Sequence, residues 1–204
     1  MADLHPVVQP LLSRSPLDDG FDPPGSQANS TAPGVTIRLV RDRSATLIAS
    51  GPRSAAALER RLHEALGIAL PGPGRCSQKD GIRVLWQGPA RWLVLAGAES
   101  GTEERLRAIV GRDAAVIDQS GALVSLHLEG SRVRAALSKI LPIDLHPRVF
   151  ARDDTRSTAA GHIGIQIVCV EDTPCYLLLI PRSTAPDFAR WLIASSAEFG
   201  VGVE

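Results

Sequence analysis

The chain repeats itself, and that repetition limits what it can fold into more than any other feature. Ala114 to Phe150 reads as strand, polar turn, strand, glycine and helix, ending in a polar loop. The first two segments suit a two-stranded ribbon turning at Ser120-Gly121, with Ile117, Val124, Leu126 and Leu128 as its apolar positions. Gly130-Ser131 opens a helix whose Val133, Ala136, Leu137, Ile140 and Leu141 fall on one face at helical spacing. Pro142 stops it. Val35 to Leu66 runs through the same series: two strands around Asp42-Arg43, then Gly51, then a helix with Ser54 at its N-cap and Leu58, Leu62, Ala65 and Leu66 inward. Gly51-Pro52-Arg53 registers against Gly130-Ser131-Arg132.

The segments beyond the two units match as well. Arg83 to Gly111 predicts a hairpin and then a helix opened by a capping box, Ser100 to Glu103. Gly164 to Gly200 predicts a hairpin and a helix starting near Ser183-Thr184, burying Phe188, Trp191, Leu192 and Phe199 and capped by Gly200. Trp86, Trp92 and Trp191 sit in regular elements among apolar neighbours and belong to the expected core. The fold class is therefore α+β, with pseudo-duplicated strand-strand-helix-strand-strand-helix units and antiparallel sheets. Residues 35–204 form one pseudo-symmetric domain, with halves of about 35–111 and 114–204.

Residues 1–34 differ. Six prolines, among them Pro23-Pro24, forbid a long regular element, yet Val7, Val8, Leu11, Leu12, Leu17 and Phe21 make the segment too apolar for a solvated tail. It reads as an extended arm, ordered on a partner or left as a tail. The 22 basic and 22 acidic residues cancel, so nucleic acid finds no electrostatic footprint, and no apolar run suits a membrane span. The start of the chain lacks the charged and apolar regions of a signal peptide, and three cysteines without CxxC spacing suggest reduced thiols; both point to the cytoplasm. Across the Asp172-Thr173 turn, Cys169 is expected opposite Tyr176 rather than Cys175, which argues against a disulfide.

The chain carries no self-sufficient catalytic motif. His5, His63, His127, His146 and His162 lack the i+2, i+3 or i+4 spacing of a metal site. Gly72-Pro73-Gly74 has no helix after it and Gly161-His162-Ile163-Gly164 precedes a strand, so neither is a dinucleotide turn. No GxSxG elbow exists, and Asp118 beside Ser120 reads as a turn support. No catalytic, cofactor-binding or metal-binding residue is therefore assigned. Asp144, His146 and Arg148 form a polar corner suited to loop structure or a subunit interface. Arg148 and Arg182, each following a proline-containing corner, are candidate partner contacts.

Asp118-Gln119-Ser120-Gly121, Leu128 to Arg132, Pro142 to Phe150, and the ending Ile180-Pro181-Arg182-Ser183 with Trp191-Leu192 and Glu198-Phe199-Gly200 resemble the gamma subunit family of heterotetrameric sarcosine oxidase. Arg14-Ser15-Pro16-Leu17 is also like that family, which adds Arg14 and Leu17 to the candidate interface residues. The resemblance implies a complex of alpha, beta, gamma and delta subunits that oxidises sarcosine to glycine, with hydrogen peroxide and formaldehyde, or 5,10-methylenetetrahydrofolate when folate is present. It implies FAD, covalent FMN, NAD, zinc and tetrahydrofolate in the partner subunits and none in this chain, whose non-catalytic role would be to support the alpha subunit. A distant similarity to the folate-binding first part of the glycine-cleavage T-protein supports the expected fold. It leaves a free-standing folate-dependent aminomethyltransferase as the alternative, although Gly161 to Ile165 lacks that family's acidic residue. An oxidase for another N-methyl amine is a further alternative.

Overall fold

The computed structural model describes residues 15–17, 32–51 and 54–204. Its strands are β1 (Val35–Val40), β2 (Arg43–Ser50), β3 (Cys76–Lys79), β4 (Ile82–Gly88), β5 (Arg91–Gly97), β6 (Ala114–Asp118), β7 (Leu123–Glu129), β8 (Thr155–Ala160), β9 (Ile163–Glu171), β10 (Cys175–Pro181) and β11 (Val201–Val203). Its α-helices are α1 (Ala55–Leu66), α2 (Thr102–Val110), α3 (Val133–Ser138) and α4 (Ala185–Ser196).

The strands build two sheets. One has the order β11-β1-β7-β10-β9-β8 and the other β3-β4-β5-β2-β6. Taken as β3-β4-β5-β2-β6 against β8-β9-β10-β7-β1, they are the same sheet made twice, so the expected α+β duplication is present. The strand pairs around Asp42-Arg43 and Ser120-Gly121, however, are not the ribbons that the sequence suggests. β1 pairs with β7 and β11, while β2 pairs with β5 and β6. The chain thus crosses from one sheet to the other at both turns, and each sheet takes an edge-side strand from the opposite half. Apolar alternation fixes which face of a strand is buried but not which strand lies beside it.

Four layers result. Leu58 and Leu62 of α1 and Leu106 and Val110 of α2 cover Ile48, Val84, Trp92, Val94 and Val116 on one outer sheet face. Val133, Ala136 and Leu137 of α3 and Phe188, Ala189 and Leu192 of α4 cover Ile37, Leu126, Leu128, Ile167, Tyr176 and Leu178 on the other. Between the sheets, Ala45, Leu85, Leu93 and Leu95 meet Val168, Leu177 and Leu179. β5 and β10, buried on both faces, accordingly carry unbroken apolar runs, Trp-Leu-Val-Leu-Ala and Tyr-Leu-Leu-Leu-Ile. Each Leu or Ile removed from water in these runs contributes about 1.5–3 kcal/mol.

Several local features differ from expectation. β3, β8 and β11 carry no strand signal of their own; β3 and β8 are polar and short of apolar alternation, and they form by adding to β4 and β9. The capping box is absent: Gly101 in the left-handed region (φ 59°) precedes α2, and Ser100 turns to Gly97 O at 2.6 Å instead. Ser54 precedes α1 without a side-chain cap hydrogen bond. α3 ends at Ser138, and Ile140 and Leu141 reach the core from the turn beyond it. Trp92 is buried and Trp86 packs partly into the core, but Trp191 is 39% exposed on the outer side of α4. Phe199 is half-buried, with the Arg132 guanidinium 5.0 Å from its ring centre. Gly200 ends a short 3-10 turn and leads the chain into β11 rather than closing it. Cys169 does lie opposite Tyr176, and all three cysteines are free.

Candidate functional site

The corner after α3 is built by two anchors. Leu145 and Phe150 are 3% and 1% exposed and pull the loop onto the sheet beneath α3 and α4. Between them the backbone ties itself off: Asp144 Oδ1 accepts from His146 N at 2.8 Å, His146 Nδ1 accepts from Arg148 N at 3.2 Å, and His146 O accepts from Val149 N and Phe150 N. Asp144 and His146 are therefore committed to loop geometry, as an Asx-type turn. Their outer surfaces, with Arg148 and Val149, remain exposed; Val149 is 54% so.

Arg182 sits elsewhere, in the 3-10 turn after β10, where its N–H donates to Ala122 O at 2.8 Å. It lines a cleft of about 380 Å³ with Arg41, Arg43, Ser120 and Ser125, between the two places where the chain changes sheets. Burial, and secondarily the Arg83 guanidinium, lowers the pKa of Arg43. Ser120 is held by Asp118, whose Oδ1 accepts from Ser120 N at 2.9 Å and Oγ at 2.6 Å; these bonds hold the Asp118 carboxyl below the usual range. Ser120 Oγ also accepts from Ala45 N at 3.0 Å. Asp118 and Ser120 are thus a turn support, as expected, and the corner and the cleft are separate surfaces.

Leu17, expected at an interface, is 4% exposed and packed within the core of this chain. Arg14 and most of the expected arm lie outside the described residues. His162 is exposed in the tight turn joining β8 to β9, where no helix begins; a pyrophosphate would find no N-terminal amides there.

A further cluster escapes sequence reasoning. His127 and Glu129, two apart on β7, share a face, and Glu129 lies opposite Cys175 on β10. Ligand atoms of His127, Glu129 and Cys175 lie within 4.8 Å of one another. His127 Nε2 is 3.0 Å from Cys175 Sγ, and Nδ1 is 3.2 Å from Arg38 Nη2 and 3.9 Å from Glu129 Oε2. Because a guanidinium can only donate, Nδ1 accepts from Arg38 and Nε2–H donates to the sulfur. Burial, then Arg38, lowers the His127 pKa; burial, then Glu171 and Glu129, pushes the Cys175 thiol up to about 11. A cavity of about 380 Å³ opens beside the sulfur, lined by Thr36, Glu129, Ser131, Glu171, Thr173 and Cys175. Its members come from strands 48 residues apart in sequence, so the His-x-Glu pair on one strand is its only local signal. No helix among the described residues is long and apolar enough to cross a membrane.

A family profile described as the sarcosine oxidase, gamma subunit family matches residues 48–198. The protein named sarcosine oxidase subunit gamma from Arthrobacter sp. is 32% identical over 203 residues, covering 98% of this chain and 97% of that one. Its namesake from Corynebacterium sp. (strain P-1) is 32% identical over 143 residues, 68% of this chain and 69% of that one. Among solved structures, a chain of heterotetrameric sarcosine oxidase from Corynebacterium sp. U-96 in complex with pyrrole 2-carboxylate superimposes with a TM-score of 0.74 at 27% identity, covering 83% of this chain and 87% of that one. The glycine cleavage system aminomethyltransferase T from Bartonella henselae shares the fold (TM-score 0.59, 15% identity), with 85% of this chain covering 48% of that enzyme.

Proposed function

The chain belongs to the sarcosine oxidase, gamma subunit family, and on that premise we propose that it is the gamma subunit of a heterotetrameric sarcosine oxidase, holding partner subunits in place rather than performing turnover. The observation that carries this reading is the end-to-end match to a gamma subunit, with 98% of one chain aligned to 97% of the other. In this reading the oxidation of sarcosine, and the FAD, FMN, NAD, zinc and tetrahydrofolate it uses, belong to the alpha, beta and delta subunits. The alpha subunit is the main partner and the complex is cytoplasmic; three buried unpaired thiols fit a reducing compartment.

The surface offered to that partner is the stapled corner. Its backbone is fixed by its own hydrogen bonds, so Arg148 and Val149 are presented with little ordering left to lose on binding. Arg182 and its cleft offer a second, cationic patch. The test is reconstitution: the partner subunits are expressed with and without this chain, and both assembly and sarcosine oxidation are measured. The expected result is that the complex fails to form or loses activity without the chain, while the isolated chain neither oxidises sarcosine nor takes up tetrahydrofolate in calorimetry. Turnover or folate uptake by the isolated chain overturns the proposal in favour of an aminomethyltransferase-like enzyme.

A further inference from the structure

We propose that His127, Glu129 and Cys175 form a binding site for one first-row transition dication of the Zn²⁺ class, at the mouth of the cavity between β7 and the β9–β10 turn. The inference rests on residues of this chain alone and stands whatever its partners do.

An imidazole, a thiol and a carboxylate are the N, S and O donors such an ion takes, and the cavity leaves room for a water as fourth ligand. Usual ion–ligand lengths place tetrahedral donors about 3.3–3.6 Å apart. The Sγ to Nε2 separation of 3.0 Å is short of that, and the 4.8 Å ceiling for the set exceeds it, so small side-chain rotations assemble the shell. The ligand backbones are already in place. Glu129 and Cys175 are cross-strand partners and His127 lies two residues along the same strand, all within a sheet whose outer face is sealed by α3 and α4. Glu129 and Glu171 line the same cavity as Cys175, and their carboxylates oppose the Arg83 guanidinium that also acts on the thiol and the Arg38 and Arg43 guanidinia that act on His127.

Binding rearranges two protons. The Cys175 thiol proton leaves to solvent, and the imidazole proton moves from Nε2 to Nδ1 as the ion takes the Nε2 lone pair. Nδ1 then becomes a donor, and Arg38, which now donates to it, must withdraw. Arg38 is exposed and has solvent to withdraw into. Arg38 is therefore a competitor of the ion, and this sets the site apart from a hydrogen-bonded cluster that only stabilises the sheet.

The experiment is a Co²⁺ titration of the purified full-length chain, followed by the thiolate-to-cobalt charge-transfer band. The wild-type chain is expected to develop the band to about one equivalent, and excess Zn²⁺ to bleach it. Cys175→Ser loses the band, His127→Gln weakens binding at least tenfold, and Arg38→Gln tightens it several-fold. Absence of the band in the wild-type chain overturns the proposal, as does its persistence in Cys175→Ser, which would assign it to Cys76 or Cys169. If Cys175→Ser does not fold, Arg38→Gln decides: tighter binding supports the site, and unchanged or weaker binding refutes it.

Discussion

Arg75 and Asp154 occupy matching positions in the two halves, one residue before β3 and one before β8, and they pair with each other through both a backbone bridge and an ion pair. The surrounding bonds match too: Trp86 N donates to Arg75 O at 3.1 Å and Cys169 N to Asp154 O at 2.9 Å. The two halves are therefore joined at their axis of likeness by unlike residues.

The partners differ in exposure, and that predicts unequal costs. The Asp154 side chain is 12% exposed and also accepts from Ala151 N at 2.8 Å, whereas that of Arg75 is 53% exposed. Asp154→Ala strands the part-buried Ala151 N–H and should cost about 1–3 kcal/mol, while Arg75→Ala should cost about 1 kcal/mol or less. Urea denaturation of both variants measures this. Equal losses would make the ion pair itself, rather than Asp154, the source of stability.

Gly130 and Gly51 register in sequence but not in stereochemistry. Gly130 has φ 124°, and a Cβ there would stand 2.4 Å from Gly34 O; at Gly51 nothing lies within 4 Å. Gly130→Ala should destabilise the chain by about 2 kcal/mol or more, and Gly51→Ala should stay within about 0.5 kcal/mol. Thermal unfolding of the pair decides it.

The thiols should be unreactive in the folded chain. Burial first of all pushes Cys76 up to about 12 and Cys169 and Cys175 up to about 11. At pH 8 the thiolate fraction of Cys175 is then about 10⁻³, and iodoacetamide should label it far more slowly than after denaturation. The folded state holds these protons more tightly than the unfolded one. Stability is therefore full below the ordinary thiol pKa and declines as pH rises from about 9 toward these raised values. Stability unchanged between about pH 8 and 11 would contradict it.

Substitutions at the corner should separate assembly from folding. Arg148→Glu and Val149→Asp alter exposed side chains and should leave the unfolding midpoint unchanged while reducing co-purification with the partner subunits. Phe150→Ala removes a side chain 1% exposed, stacked 6.2 Å from the Tyr176 ring, and should cost about 3–5 kcal/mol. Pull-down yield and melting temperature, read together, test the division.

Leu17 bears on the amino-terminal arm. Packed at 4% exposure in the core of this chain, Leu17→Ala should destabilise it by about 2–5 kcal/mol. Deleting residues 1–34 should then lower stability as well as assembly. A truncated chain as stable as the full one would return the segment to a purely intermolecular role.

The repetition was legible because it rests on apolar spacing. Val133, Ala136 and Leu137 on one helix and the runs of β5, β9 and β10 announce burial directly. The sheet exchange was not legible, since Val35 and Ile37 alternate in the same way whether their neighbour is β2 or β7. β3 and β8 were hidden because Cys-Ser-Gln-Lys and Thr-Arg-Ser-Thr-Ala-Ala owe their form to β4 and β9. Trp191 misleads because helical spacing near Phe188 and Leu192 does not say where the buried stripe ends. Asp144, His146 and Arg148 lie close enough in the chain to be visible as a corner, but His127, Glu129 and Cys175 meet only after two distant strands have paired.

The exchange of strands constrains how the molecule comes into being. β1 leaves the ribosome early, yet Val35 must wait for Val201 and Ile37 for Leu128 before either has a neighbour. Until the second half is synthesised, that strand has no ladder to join and its apolar side faces water or a chaperone. Severing the chain near Asp113 would not release two smaller proteins; it would give two fragments, each missing a strand that the other carries.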